Sequence, residues 1–367
     1  MHHDQPIENR IVAVGTSLGG LDALRTLLSS LATDFTAPVL IVMHIGAHRS
    51  LLPELLAPVC CLPVAHAIDN IPLEPSRIYV APSDRHMLVH DGRIRLSAGP
   101  KENFTRPAID PLFRSVAVEY GARAVAVVLT GDLDDGAAGA AAVNACGGRV
   151  IVQAPQDSVA QSMPASALRA VPAATVACLD RLAQAIVDAV HQPIKGGPMS
   201  ADKRPIEIEA QIALTGVSSP ALLDQLGKRS TLTCPDCGGI VWEVGGAAPL
   251  RYRCHTGHAF TEASLDAAQE ADLEDALWAS VRRVEERAAL AASRARAAET
   301  QGDEARAQSE HALSEKLHRL EGSLREFIMG SARAEDDQTF AVQKTASLRT
   351  KGAADGSAVR EARREDQ

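Results

Sequence analysis

A doubly wound α/β fold with a mostly parallel, Rossmann-like sheet is what this sequence predicts, and two observations predict it. Between residues 11 and 190, short β-branched apolar runs alternate with segments whose apolar residues recur at helical spacing, the rhythm of strands joined by crossover helices. The residues best suited to chemistry, Ser17, His44 and a group of aspartates at 132, 134 and 135, each come within a few positions after one of those runs. That is the carboxyl end of a strand, where open α/β sheets place their sites.

The first strand is Ile11 to Val14, with the length and branching of a strand buried on both faces. Leu21, Leu24, Leu27, Leu28 and Leu31 follow at helical spacing, which puts Ser17 on a strand-to-helix turn among Gly15, Gly19 and Gly20. Glycines let such a turn close, and a helix start presents unpaired N–H groups. The turn therefore suits an acyl-transfer nucleophile beside oxyanion donors, and also a phosphate cradle or a plain connection. Val39–Met43 is the second strand, residues 77–81, 124–129 and 150–152 are others, and helices begin near Ser50, Pro107, Gly136, Pro164 and Asp180. Two extended runs between residues 87 and 97 flank Asp91-Gly92, a strong hairpin signal.

Past residue 192 the character changes. Residues 1–9 form an N-terminal arm, 10–192 the α/β domain, 193–230 a linker with at most one short helix, and 231–260 a compact cysteine-bearing module. Residues 261–330 predict an antiparallel helical hairpin, broken near Gly302, with Leu273, Leu277, Val281 and Val284 on one arm and Leu313, Leu317, Leu320, Leu324, Phe327 and Ile328 on the other. No large apolar spacing survives in residues 331–367, which read as a disordered tail.

The 367 residues are 46% hydrophobic, enough for a sizeable core, and the net charge of −9 offers no footprint for nucleic acid or an anionic membrane. The polar N-terminus lacks a signal-peptide core and no apolar run nears the ~18 residues of a membrane span, so a cytoplasmic location without membrane insertion is expected. Seven cysteines, an odd number scattered through the chain, argue for reduced thiols.

A serine hydroxyl needs a base, and His44, at the end of the second strand, is the candidate that the topology brings beside Ser17. His86 is the rival. The acid comes from the segment Thr130-Gly131-Asp132-Leu133-Asp134-Asp135-Gly136 after the strand at 124–129. The order serine, histidine, acid, with only ten residues before the first strand, excludes the α/β-hydrolase arrangement of serine, acid, histidine.

The motifs Gly15-Thr16-Ser17-Leu18-Gly19-Gly20, Val42-Met43-His44, Tyr79-Val80-Ala81-Pro82 with His86-Met87, Arg106-Pro107-Ala108-Ile109-Asp110-Pro111-Leu112-Phe113, Leu129-Thr130-Gly131 with Asp135-Gly136, and Met163-Pro164 together resemble the chemotaxis protein-glutamate methylesterases of the CheB type. The resemblance implies a serine hydrolase that removes methyl esters from glutamates of chemoreceptor signalling helices, with glutamine deamidation as a side activity, and it needs no cofactor for catalysis. It puts the nucleophile on Ser17, the base on His44 and the acid on Asp135 rather than Asp134. Thr16, Leu18, Gly131 and Asp132 are expected to line the oxyanion site, with His86 and Arg106 in the substrate groove, while Arg106 and Asp110 begin and cap a helix around Pro107. Leu18 and Asp132 depart from the residues the family often has there; a backbone N–H serves an oxyanion whatever its side chain, and Asp132 is expected to point outward. The family usually carries an N-terminal receiver domain, for which nine residues leave no room, so control is expected to come from elsewhere or activity to be constitutive. A catalytically weak scaffold acting through the C-terminal elements is the alternative, as is a hydrolase of another ester or amide.

Cys234-Pro235-Asp236-Cys237-Gly238-Gly239 and, with sixteen residues between Cys237 and the next cysteine, Cys254 with His258 have the spacing of a structural zinc ribbon, with Trp242, Tyr252 and Phe260 as its aromatic core. A redox Cys-x-x-Cys is the rival reading. His255, adjacent to Cys254, is expected to point away from the metal. Such modules followed by a helical hairpin look like partner-binding elements in hybrid relatives of this family, and catalysis is expected to be independent of the module across the linker.

Overall fold

The computed structural model describes residues 10–46, 49–194, 203–245 and 249–330. The expected arm and tail lie outside them. Ile11 and Ala13 enter one buried cluster and Val12 and Val14 another, so the first strand is apolar on both faces and reads as a continuous run.

The strands are β1 (Ile11–Thr16), β2 (Val39–Met43), β3 (Val64–His66), β4 (Ile78–Val80), β5 (His86–His90), β6 (Arg93–Ser97), β7 (Ala124–Val128), β8 (Arg149–Gln153) and β9 (Thr175–Ala177). Seven of them form a sheet in the order β3-β4-β2-β1-β7-β8-β9, and every pairing in it is parallel. The helices α1 (Gly20–Ser29), α2 (Leu52–Leu56), α3 (Ile109–Tyr120), α4 (Ala137–Ala145), α5 (Ser162–Ala170) and α6 (Leu182–His191) cover it: α1, α2 and α6 on one face, α3, α4 and α5 on the other. The β5-β6 hairpin turns at Asp91 and Gly92, both at positive φ, as the dipeptide predicts. The sequence reading missed β3 and β9, three-residue strands at the sheet margins, too short to carry a period.

The expected linker is largely structured. Within it lie α7 (Arg204–Thr215) and α8 (Pro220–Leu223), and Ile208, Ile212 and Leu223 are buried with Trp242 and Val244. The antiparallel sheet β10 (Gly227–Thr233), β11 (Ile240–Val244), β12 (Arg251–Cys254) and β13 (Ala259–Thr261) follows in sequential order. Trp242 thus packs toward α7 and α8, while Phe260 joins Cys234, Val241, Cys254 and Leu265 in a second cluster, so the expected aromatic core is split between two faces of the small sheet.

The described residues form two compact units divided after Ala268. Helix α9 spans Glu262–Thr300, and a last helix, α10, spans residues 304–330. In the second unit they are antiparallel: Ser314 Oγ donates to Ala288 O at 3.1 Å and His311 Nε2 lies 2.8 Å from Glu299 Oε1. The turn passes through Gly302 at φ 75°, where the break was expected. The contact is built on Ala288, Ala291, Ala295 and Ala298 more than on the predicted leucines, and Leu273, Leu320 and Phe327 stay exposed. Small side chains let two helices approach closely. None of the described helices is long and apolar enough to cross a membrane.

Candidate active site

Three adjacent strands, β2, β1 and β7, end at the site. Thr16 at the end of β1 is fully buried, its Oγ1 donating to Thr130 O at 2.9 Å, so it ties β1 to the loop after β7 and lines no groove. Ser17 follows on the turn into α1, and its N–H donates to Thr130 O at 3.0 Å. His44 follows β2, its N–H donating to Thr16 O at 3.2 Å. The imidazole spans the gap, with Nδ1 3.2 Å from Ser17 Oγ and Nε2 2.7 Å from Asp135 Oδ2. The carboxylate accepts from Nε2–H, which leaves the Nδ1 lone pair facing the serine hydroxyl.

Asp135 is 2% exposed. Its Oδ2 also accepts from Ile109 N at 2.7 Å, and its Oδ1 from Asn103 Nδ2, Asp110 N and Gly136 N at 3.1, 3.1 and 3.0 Å. Burial alone would raise its pKa, but the bond and charge of His44, then the Ile109 and Asp110 N–H groups, hold it below the usual carboxylate value. Asp134 is turned away: Thr261 Oγ1 donates to its Oδ1 at 2.6 Å, and burial pushes its carboxyl up.

Asp110 serves a different helix from the one expected. Sitting in the first turn of α3, it accepts at Oδ1 from Gly136 N at 3.0 Å and Gly139 N at 2.6 Å, the start of α4. Asp135, just before α4, in turn accepts from Ile109 N and Asp110 N at the start of α3. Each aspartate therefore satisfies the helix that the other's segment begins. Burial, then the nearby Asp135 charge, pushes the Asp110 carboxyl up to about 7.

Besides Thr16, the expected oxyanion set changes at one more position. Gly131 N donates to Ala160 O at 3.1 Å and is occupied, although its backbone lies against the serine, a Cβ there falling 2.8 Å from Ser17 Cβ. Leu18 N and Asp132 N have no acceptor among the described residues. Leu18 is 56% exposed, and the Asp132 side chain is exposed as expected.

His86 is not a groove residue. It is fully buried, donating from Nε2 to Pro100 O at 2.9 Å and accepting at Nδ1 from Ala108 N at 3.2 Å, and burial depresses its pKa. Arg106 does reach a cleft of about 350 Å³ shared with His44, Phe104 and Thr105, yet its guanidinium is committed to Asp84 Oδ1 at 2.6 and 2.8 Å and to Ala98 O and Gly99 O. Sequence reasoning missed Asn103 and Thr105, whose Oγ1 lies 3.5 Å from His44 Nε2. They sit in an irregular loop where no period operates; the one local signal is Asn103 itself, a residue type that tolerates the left-handed φ of 49° found there.

The four expected metal-site residues come together. One ligand atom from each of Cys234, Cys237, Cys254 and His258 lies within 4.8 Å of the others. Two tight turns present them: Gly238 N donates to Cys234 O at 2.7 Å and Gly257 N to Cys254 O at 2.9 Å, both glycines at positive φ. Tetrahedral zinc with its usual bond lengths separates two thiolates by about 3.8 Å and a thiolate from an imidazole nitrogen by about 3.5 Å. Here Cys237 Sγ is 3.8 Å from Cys254 Sγ, and His258 Nδ1 is 3.5 Å from Cys254 Sγ and 3.7 Å from Cys234 Sγ. The donor set fits. His255 lies outside it, its ring against Gly239.

Residues 12–186 match the family described as CheB methylesterase. A protein-glutamate methylesterase/protein-glutamine glutaminase of Paramagnetospirillum magneticum is 40% identical over 44% of this chain and 44% of its own length, and one of Caulobacter vibrioides is 40% identical over 48% and 52%. A Leptospira interrogans relative that carries the same name provisionally is 33% identical, and the match spans 48% of this chain and 92% of that protein. The chain thus spans about half the length of the first two relatives.

Proposed function

Because this chain belongs to the CheB methylesterase family through residues 12–186, we propose that it is a serine hydrolase that removes methyl esters from glutamate side chains of chemoreceptors. The observation that carries the reading is the relay from Ser17 Oγ through His44 Nδ1 and Nε2 to Asp135 Oδ2, at 3.2 and 2.7 Å. His44 Nδ1 takes the hydroxyl proton as Ser17 Oγ attacks the ester carbonyl, and Asp135 stabilises the imidazolium through Nε2–H. The N–H groups of Leu18 and Asp132 receive the oxyanion. The proton on Nδ1 passes to the leaving methoxide, methanol departs, and His44 then activates water to free the glutamate and restore Ser17. A glutamine side chain follows the same steps with ammonia leaving, which supports deamidation as a second activity.

A structural zinc held by Cys234, Cys237, Cys254 and His258 belongs to the same reading; it would staple the small sheet and plays no part in the steps above. Thiolate ligands of this kind favour a reducing compartment, in keeping with a cytoplasmic enzyme. The hairpin of α9 and α10, with Leu320 and Phe327 exposed, is the element assigned to partner binding. The test is methanol release from receptor membranes methylated in vitro, with Ser17→Ala and His44→Ala as controls. Each should lower the rate by several orders of magnitude, and their combination should add little, because such residues act as one unit. Near-wild-type turnover in either single variant would overturn the mechanism.

A further inference from the structure

We infer that the Cys/His module is an internal positioning element for the triad acid, acting through the loop at residues 101–105 and through Asn103 in particular. The inference rests on the hydrolase reading above, and it reverses the expectation that catalysis is independent of the module.

The loop lies between the triad and the module and is bonded to both. On the module side, β13 adds to it as a strand would: Asn103 N donates to Ala259 O at 2.8 Å and Ala259 N to Lys101 O at 3.4 Å. The Phe104 and Phe260 rings stand 4.9 Å apart, so a residue of the loop completes the module's core. Behind the loop, Glu102 pairs with Arg114 of α3 and, at 2.8 Å, with Arg253 of β12, all three side chains 3% exposed or less.

Asn103 joins the two sides through one amide. Its Oδ1 accepts from Thr261 N and from Ser264 Oγ, both at 3.1 Å, and its Nδ2 donates to Asp135 Oδ1 at 3.1 Å and Asp110 Oδ2 at 3.4 Å. These two donors, one at the end of β13 and one in the first turn of α9, fix which end of the amide faces inward, so the N–H bonds must point at the carboxylates. The backbone needs this support. Asn103 and Phe104 both have positive φ, 49° and 62°, and for a bulky phenylalanine that conformation persists only where its surroundings over-determine it. Released from β13 and Phe260, the loop has every reason to relax, taking Asn103 off Asp135 and Thr105 away from His44. Asn103 is thus a positioning residue that acts through Asp135, and Ser264 acts through Asn103.

The test uses the full chain, methylated receptor membranes and steady-state kinetics. Asn103→Leu, close in volume and without the amide, should lower kcat by ~100-fold with KM within ~2-fold, the signature of a misplaced catalytic group. Ser264→Ala removes one of the two donors to Asn103 Oδ1, together with the hydroxyl's contacts to Thr261, and should lower kcat by ~5-fold, again without moving KM. The double variant should be no slower than Asn103→Leu alone, since the second change has nothing left to act through. Zinc content and the urea midpoint check that each variant is folded; should Asn103→Leu fail to fold, Ser264→Ala carries the test by its kcat. Wild-type kcat in folded Ser264→Ala, losses that multiply in the double variant, or a change confined to KM would overturn the inference and leave the hydrolase reading standing. Wild-type turnover no faster than that of Ser17→Ala would overturn both.

Discussion

Glu209 of α7 is the residue whose removal tests how the first unit is held together. It is 2% exposed and faces three guanidinium groups: Arg251 Nη1 at 2.6 Å, Arg253 Nη2 at 3.3 Å and Arg114 Nη1 at 3.5 Å. Burial alone would raise its pKa, but Arg251, then Arg114 and Arg253, hold it at about 2 against an ordinary 4.5. At about 1.4 kcal/mol per pH unit, that gap corresponds to about 3 kcal/mol of stabilisation. A depressed carboxyl contributes stability that is present above the unfolded value and disappears as pH falls through the folded one. Glu209→Gln should therefore cost about 3 kcal/mol at pH 7, within the range for breaking one partner of a buried pair, because Arg114 and Arg253 are left sharing Glu102. Urea unfolding followed by tryptophan fluorescence in a Trp278→Phe background measures this, since Trp242 is buried with Ile208 and Ile212 of α7. The gap between parent and variant should close as pH is lowered from about 4.5 toward 2. A difference below about 0.5 kcal/mol at pH 7, or one undiminished at low pH, would refute the account.

Two further outcomes separate neighbouring residues. Asp135→Asn should reduce methanol release by ~10⁴-fold, as loss of the acid does in other serine triads, whereas Asp134→Asn, whose side chain meets Thr261, should keep most activity; the reverse ranking in the methanol assay would move the acid. His258→Ala should lose zinc and His255→Ala should keep it, by elemental analysis of protein purified without chelators, and a zinc-free wild type with reduced thiols would refute the metal assignment.

The parts of the site that lie on strand ends were legible in the sequence, because a buried strand announces itself through a short apolar run and its successor residue is then placed by topology. Ser17 and His44 are of this kind. The choice of Asp135 over Asp134 needed a resemblance, since adjacent residues in a loop share every local signal. What was illegible came from chain segments far apart in sequence. The burial of His86 follows from Pro100 and Ala108, and Gly131 N is claimed by Ala160, which lies well downstream in the chain. The docking of β13 on residues 101–105 depends on partners more than 150 positions apart, Asn103 and Thr261 being separated by 158. Nor does the composition of α7 reveal burial: Glu209 reads as a solvated helix charge until Arg251 and Arg253 are placed beside it.

The ladder that carries the site also sets what the chain can lose or gain over time. β1 lies between β2 and β7, with Thr16 opposite Met43 and Gly15 opposite Val128. One residue removed from any of these strands would shift its end by about 3.3 Å and turn its side chains to the other face, more than a hydrogen bond can follow. Substitutions that keep a strand apolar leave that spacing alone. Gly92 and Gly302 lie on turns outside the seven-stranded sheet where an added Cβ meets no neighbour, so a change of length there displaces none of its strands. Across descendants of this chain, drift in composition should be widespread, while drift in length should gather at such turns and skip the three strands that lead to Ser17, His44 and the loop of Asp135.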